Sequence, residues 1–74
     1  MNISLLGVGI DAKVTKINLP KQAKRRLGEM GLTEGVKITV IRRAPFNDPI
    51  EIYLRSFYLA IRKKDAKNIL VEQI

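Results

Sequence analysis

Residues 42–64, RRAPFNDPIEIYLRSFYLAIRKK, contain a stretch that can fold back on itself, and it constrains this chain more than any other feature. With Ser56-Phe57 as a two-residue turn, Arg55 lies opposite Tyr58, Leu54 opposite Leu59 and Tyr53 opposite Ala60. Ile52 then meets Ile61, and Glu51 meets Arg62. In that register Ile52, Leu54, Leu59 and Ile61 share one face, and the polar and aromatic side chains share the other. This is the pattern of a hairpin with one side on a core. The expected turn lacks the Gly or Asn that primed turns prefer.

The flanking segments supply the rest of a sheet. In IDAKVTKI (residues 10–17) Ile10, Ala12 and Val14 alternate with Asp11, Lys13 and Thr15, a half-buried strand. Ile17 breaks the parity, which predicts a bulge near Thr15–Lys16. NLPKQAKRRLGEMG then changes to a helical period: Ala23, Leu27 and Met30 form one stripe, with Lys21, Lys24 and Arg25 elsewhere on the surface. Asn18 is the expected N-cap, Pro20 suits the first turn, and Gly31 suits a left-handed C-terminal cap. Gly28 costs about 1 kcal/mol relative to alanine inside a helix, so either something packs closely there or the helix is ending. After Gly35, VKITVIRR reads as a second strand, and APFNDP as a loop. KKDAKNI allows one helical turn anchored by Ala66, Ile69 and Leu70, and LVEQI closes as a strand. The expected fold is mostly β: a small antiparallel barrel of about five strands forming one domain over residues 1–74. One α-helix follows the first strand, and a short helical turn precedes the last. Closure of such a barrel removes exposed strand edges.

Several kinds of chemistry are excluded by what the chain lacks. With no Cys and no His, it has neither disulfides nor the soft ligands that hold zinc and most structural iron. The seven carboxylates are scattered, and Ser4 and Ser56 have no base near them in sequence. The reading is a non-enzyme with no cofactor, no metal site and no small-molecule substrate. No stretch approaches the ~20 apolar residues of a membrane span, and the N-terminus lacks a cationic leader region, so a soluble cytoplasmic protein is expected. The net charge of +7 fits either an anionic partner or simple solubility. Basic residues in the helix as well as the hairpin spread that charge around the molecule.

LPKQAKRRLGEMGLTEGVKITVIRRAP followed by DPIEIYLRSFYLAIRKKDAKNILVE resembles the FeoA family of small ferrous iron transport accessory proteins. The ordered series Gly31-Leu32-Thr33-Glu34-Gly35, Arg42-Arg43-Ala44-Pro45 and Asp48-Pro49 carries the resemblance, which covers roughly residues 4–72. Glu34 stands where the family often has Pro, and Ser56 where it often has Gly. The resemblance implies an SH3-like barrel and a cytosolic accessory of FeoB, a membrane transporter with a cytoplasmic GTP-binding domain. The same domain type ends iron-dependent repressors, whose DNA-binding winged helix has no room here. A family-level label of transition metal binding finds no Cys or His to support it.

Phe46, Tyr53, Arg55, Tyr58, Arg42 and Arg43 are therefore the candidate partner-binding residues. The expected partner is the GTP-binding domain or the cytoplasmic helices of such a transporter, which would hold this protein at the inner face of the membrane. Phe46, near the tip of the 44–49 loop, alternatively folds back over the barrel mouth. Proline-peptide binding is disfavoured, because there is no Trp and the loops are basic. A second reading is a free-standing basic barrel that binds nucleic acid through Arg42, Arg43, Arg55, Arg62, Lys63 and Lys64, with Tyr58 stacking on a base. A third is weak self-association through the same hairpin face.

Overall fold

The computed structural model describes residues 1–74. Five strands, β1 (Asp11–Ile17), β2 (Lys37–Arg43), β3 (Ile50–Leu54), β4 (Phe57–Ile61) and β5 (Ile69–Gln73), form one sheet in the order β4-β3-β2-β1-β5. All four pairings are antiparallel. Helix α1 (Lys21–Glu29) lies between β1 and β2, and the single turn α2 (Lys63–Ala66) between β4 and β5. This is the expected order of elements. Edge removal is incomplete, however, because β4 and β5 end the sheet without hydrogen-bonding to each other.

The seventeen buried residues form one apolar cluster with no polar member. Parity along the strands explains most of it: Ala12 and Val14, Ile38 and Val40, then Ile50, Ile52 and Leu54 all point inward. Without cysteines to form disulfides, a domain of this size depends on such a core for its stability. Leu27 of α1, Leu32 just beyond it and Ala66 of α2 also reach the cluster. So do Ile3, the first residue of a 3₁₀ turn over Ile3–Leu5 that the hydrophobic pattern had not revealed, and Leu6, which caps it. Their spacing of three residues is the signal, because side chains at i and i+3 eclipse in a 3₁₀ turn.

Two bulges bend the sheet. One lies between Val14 and Lys16, as Ile17 predicted. The second, between Val40 and Arg42, adds a residue and so reverses the parity beyond it. Arg43 consequently pairs with Ile50 on the inward side, while Arg42 lies opposite Glu51 on the outer face.

Helix α1 starts at Pro20 without a side-chain cap. Asn18 instead donates its backbone N–H to the Asn68 carbonyl at 2.8 Å, so the expected N-cap is not formed. The C-terminus closes as expected around Gly31, at φ +93°. Leu32 N–H bonds to the Leu27 carbonyl and Gly31 N–H to that of Gly28, both at 3.0 Å, a Schellman arrangement that sends buried Leu32 into the core. Of the two explanations for Gly28, the ending helix is the one found: an added Cβ would meet only the Thr33 methyl, at 3.9 Å.

The hairpin differs from expectation in register. The turn is Arg55-Ser56, both at positive φ (45° and 74°), the conformation of a primed turn. Ile52 therefore opposes Leu59, Tyr53 opposes Tyr58, and Leu54 opposes Phe57. The shift is two residues along β4, so every side chain keeps its predicted face. A turn at Ser56-Phe57 would place a bulky aromatic at a left-handed position. The observed turn keeps Phe57 in the strand beside Gly31 and lets Arg55 Nε donate to the Gly31 carbonyl at 3.1 Å. The same shift breaks the expected Glu51–Arg62 pair. Glu51 pairs with Arg42 at 3.2 Å, and Arg62 approaches Asp48 at 3.8 Å. Exposed pairs of this kind contribute only ~0–1 kcal/mol each.

Candidate docking surface

Alternation along β3 and β4 turns Tyr53 and Tyr58 to the outer face, and the observed register sets them directly across from each other. Their rings meet edge-to-face, with centroids 5.1 Å apart and planes at 61°. Such pairs contribute about 0.5–1.5 kcal/mol beyond area burial, so each ring holds the other in place. Both remain accessible, Tyr53 at 38% and Tyr58 at 61%. Beside them Val36, Lys37, Thr39, Tyr53, Leu54 and Arg55 line an open groove of about 410 Å³. Apolar rings with polar tips beside a cation make a surface suited to protein contact.

The other candidates divide. Arg55 lines the groove with Tyr53, while its Nε is held by the Gly31 carbonyl. Arg42 shares their face but is paired with Glu51. Arg43 does not belong to this surface: the β2 bulge turns it inward, where its guanidinium donates to the Leu6 carbonyl. Phe46 does not fold back over the barrel mouth. It is 93% exposed, on a 3₁₀ turn (Pro45–Asn47) where Phe46 and Asn47 both take positive φ. That loop precedes β3, so Phe46 and Arg55 stand at opposite ends of the strand.

A short polar network braces the groove. Thr39 Oγ1 donates to Asp11 Oδ1 at 2.6 Å, and Lys37 Nζ lies 3.5 Å from Asp11 Oδ2. The Thr39 hydroxyl chiefly holds the Asp11 carboxyl below its ordinary value; partial desolvation opposes it, and the Lys37 charge and hydrogen bond add a smaller lowering. A group whose folded pKa is depressed adds stability above its unfolded pKa and loses it as pH falls through the folded value. Thr39→Val, which keeps the β-branched shape, is expected to raise the Asp11 pKa and flatten the acid limb of the stability curve. Carboxyl ¹³C titration together with melts across the acid range would read both effects. An unchanged Asp11 titration would show that the hydroxyl is not responsible.

No three His, Cys, Asp or Glu side chains come together. Cations on α1 (Lys21, Lys24, Arg25, Arg26) lie on another element from the tyrosines, and no helix is long and apolar enough to cross a membrane.

The FeoA domain model matches residues 1–73. An Fe(2+) transport protein A/Fe(2+) transporter FeoB fusion protein from Porphyromonas gingivalis is 32% identical over 74 residues, covering all of this chain. The chain spans only 9% of that relative's length. Among solved structures, FeoA from Chlorobium tepidum superposes with a TM-score of 0.95 at 36% identity, covering all of this chain and 70% of that one. Stenotrophomonas maltophilia FeoA complexed with zinc, described as a prokaryotic SH3 domain protein, gives a TM-score of 0.81 at 25% identity. That match covers 97% of this chain and 89% of the other. The fold is SH3-like.

Proposed function

Because this chain belongs to the FeoA family, we propose that it is a non-enzymatic accessory of ferrous iron transport acting through contact with a FeoB-type transporter. One observation carries this reading: in the P. gingivalis relative, a segment like this chain and a FeoB transporter are parts of one polypeptide. Covalent linkage holds two modules at high effective concentration, which is useful when they work against each other's surfaces. A module of this kind works against the transporter through its own surface. The outer hairpin face (Tyr53, Tyr58, Arg55, Arg42) and the exposed Phe46 are the features suited to it, placed against the cytoplasmic GTP-binding domain or helices.

A small barrel without catalytic groups can act only by preferring one state of its partner. A tenfold preference is worth about 1.4 kcal/mol, enough to shift a near-balanced equilibrium. Truncating Phe46, Tyr53 and Tyr58 together to alanine is expected to weaken association with the solubilised transporter by at least about tenfold, since exposed aromatics are the usual anchors of interfaces. Ferrous uptake should change in parallel while the β-sheet circular dichroism is retained. Unchanged association and uptake in the folded triple variant would reject this surface. Recovery mainly of nuclease-sensitive, salt-released nucleic acid with the tagged protein would reject the function itself.

A further inference from the structure

The β4 edge is open, and nothing in its sequence blunts it. A two-residue turn makes Leu54–Phe57 the first hydrogen-bonded pair of the hairpin, so Ile52–Leu59 and Ile50–Ile61 continue that series. The N–H and C=O groups of Tyr58 and Ala60 then point away from β3, and none of the backbone hydrogen bonds outside the regular elements uses them. The strand, Phe57-Tyr58-Leu59-Ala60-Ile61, carries no charge, Pro or Gly, and its register runs without a bulge. These are the devices that normally protect an edge. The opposite edge is treated differently. There the Met1 carbonyl accepts Val71 N–H at 2.8 Å, Asn2 bridges to Leu70, and Glu72 adds a charge.

We propose that the β4 edge accepts an extended, acid-flanked segment of the partner as a sixth strand, bonded to the backbone of Tyr58 and Ala60. This deepens the function proposed above and rests on it only for the identity of the partner. Charge selects the occupant. Arg55 lies in the turn two residues before β4 begins, and Arg62, Lys63 and Lys64 immediately follow it. Of these four only Arg62 has its side chain within ion-pair distance of an acid, Asp48 at 3.8 Å, which also accepts the Lys63 backbone N–H. A second copy paired antiparallel about Leu59 would bring Arg55 opposite Lys63 of its neighbour, and both copies carry +7. An incoming strand with acidic ends meets those same cations favourably. Its central residue lies beside half-buried Leu59 and is apolar, while its outward side chains extend the Tyr53–Tyr58 surface.

The probe is the acetylated, amidated peptide Glu-Asp-Val-Thr-Val-Thr-Val-Asp-Glu, titrated into ¹⁵N-labelled protein. Amide shifts and exchange protection are expected to centre on Tyr58 and Ala60. A peptide with Lys at the flanking positions should bind at least about tenfold more weakly, because like charges then meet. Ala60→Pro removes one outward N–H without touching the β3 ladder, as edge prolines do, and should lower the affinity to a similar extent. Should that variant lose its fold, N-methylation of alternate peptide residues asks the same question of the native protein. Methylation should abolish binding in one frame and spare it in the other. Shifts elsewhere, equal binding of both peptides, insensitivity to frame, or a β4-mediated dimer of the protein alone in sedimentation would each overturn the inference. Co-purification with the transporter separates the two proposals. If folded Ala60→Pro retains the transporter as well as the native chain does, the edge inference fails and the function stands. If the native chain retains none while the peptide still binds as described, the function fails and the edge inference stands.

Discussion

Replacing Ile52 with alanine is expected to lower the unfolding free energy by about 3 kcal/mol, within the usual range for deleting a buried branched side chain. Ile52 is fully buried in β3, with Val40 beside it on β2 and Leu59 on β4. A cavity there strips contacts from three strands at once. A domain of this length has roughly 4–11 kcal/mol in total, so the loss removes a large share of it. The midpoint of thermal unfolding should fall by roughly 12–24 °C. Tyr58→Ala, one position away from Leu59 but on the outer face, should cost about 1 kcal/mol or less, close to what the aromatic pair contributes. Urea and thermal unfolding of the two variants compare inward with outward positions directly. Equal losses would mean that the core is not where the burial places it.

The second large effect concerns Gly31. Gly31 and Gly35 share the same φ of +93°, a conformation that L side chains rarely adopt, yet their surroundings differ. A Cβ on Gly31 would approach Arg55 Cδ to 2.9 Å, whereas one on Gly35 would meet nothing within 4 Å. Gly35→Ala should therefore cost only the backbone strain, about 1–2 kcal/mol. Gly31→Ala should cost that amount plus the displacement of Arg55, whose Nε–carbonyl bond is worth about 1 kcal/mol. Since Arg55 is half of the hairpin turn, the damage should spread to β4, visible as shift changes at Phe57. Arg55→Ala combined with Gly31→Ala should bring the cost of the Gly31 change down to that of Gly35→Ala. A Gly31→Ala variant no less stable than Gly35→Ala would show that the turn does not depend on this packing.

Both predictions mark where periodicity informs and where it stops. Alternation placed Ile38, Val40, Ile52 and Leu54 in the core because a strand has only two faces. The break at Ile17 announced the first bulge because an apolar side chain fell on the wrong parity. Ile41, apolar on the outward parity of β2, carried the corresponding hint of the second bulge. Read as a simple continuation of the strand, it left Arg43 among the surface candidates. The docking surface was legible in part. Tyr53, Tyr58 and Arg55 were recognised, but with Arg55 opposite Tyr58; the facing of Tyr53 and Tyr58 depended on a register that alternation cannot supply. The pairing of Arg42 with Glu51 and the projection of Phe46 into solvent were likewise hidden, as both depend on the actual path of the 44–49 loop.

By itself the sequence determined the order of strands and helices, the inward faces of β1, β3 and β4, and the left-handed stop at Gly31. Each of these follows from a local period or from the stereochemistry of one residue. Only the tertiary structure decided the hairpin register, the burial of Ile3 and Leu6 in the core, and the open edge of β4. Register shifts of two residues leave every side chain on the same face, so alternation cannot distinguish them. Here the choice is made where Arg55 and Phe57 pack on Gly31, more than twenty residues earlier in the chain. An open edge is likewise a property of the whole sheet, since a strand is exposed only when no other segment arrives to pair with it.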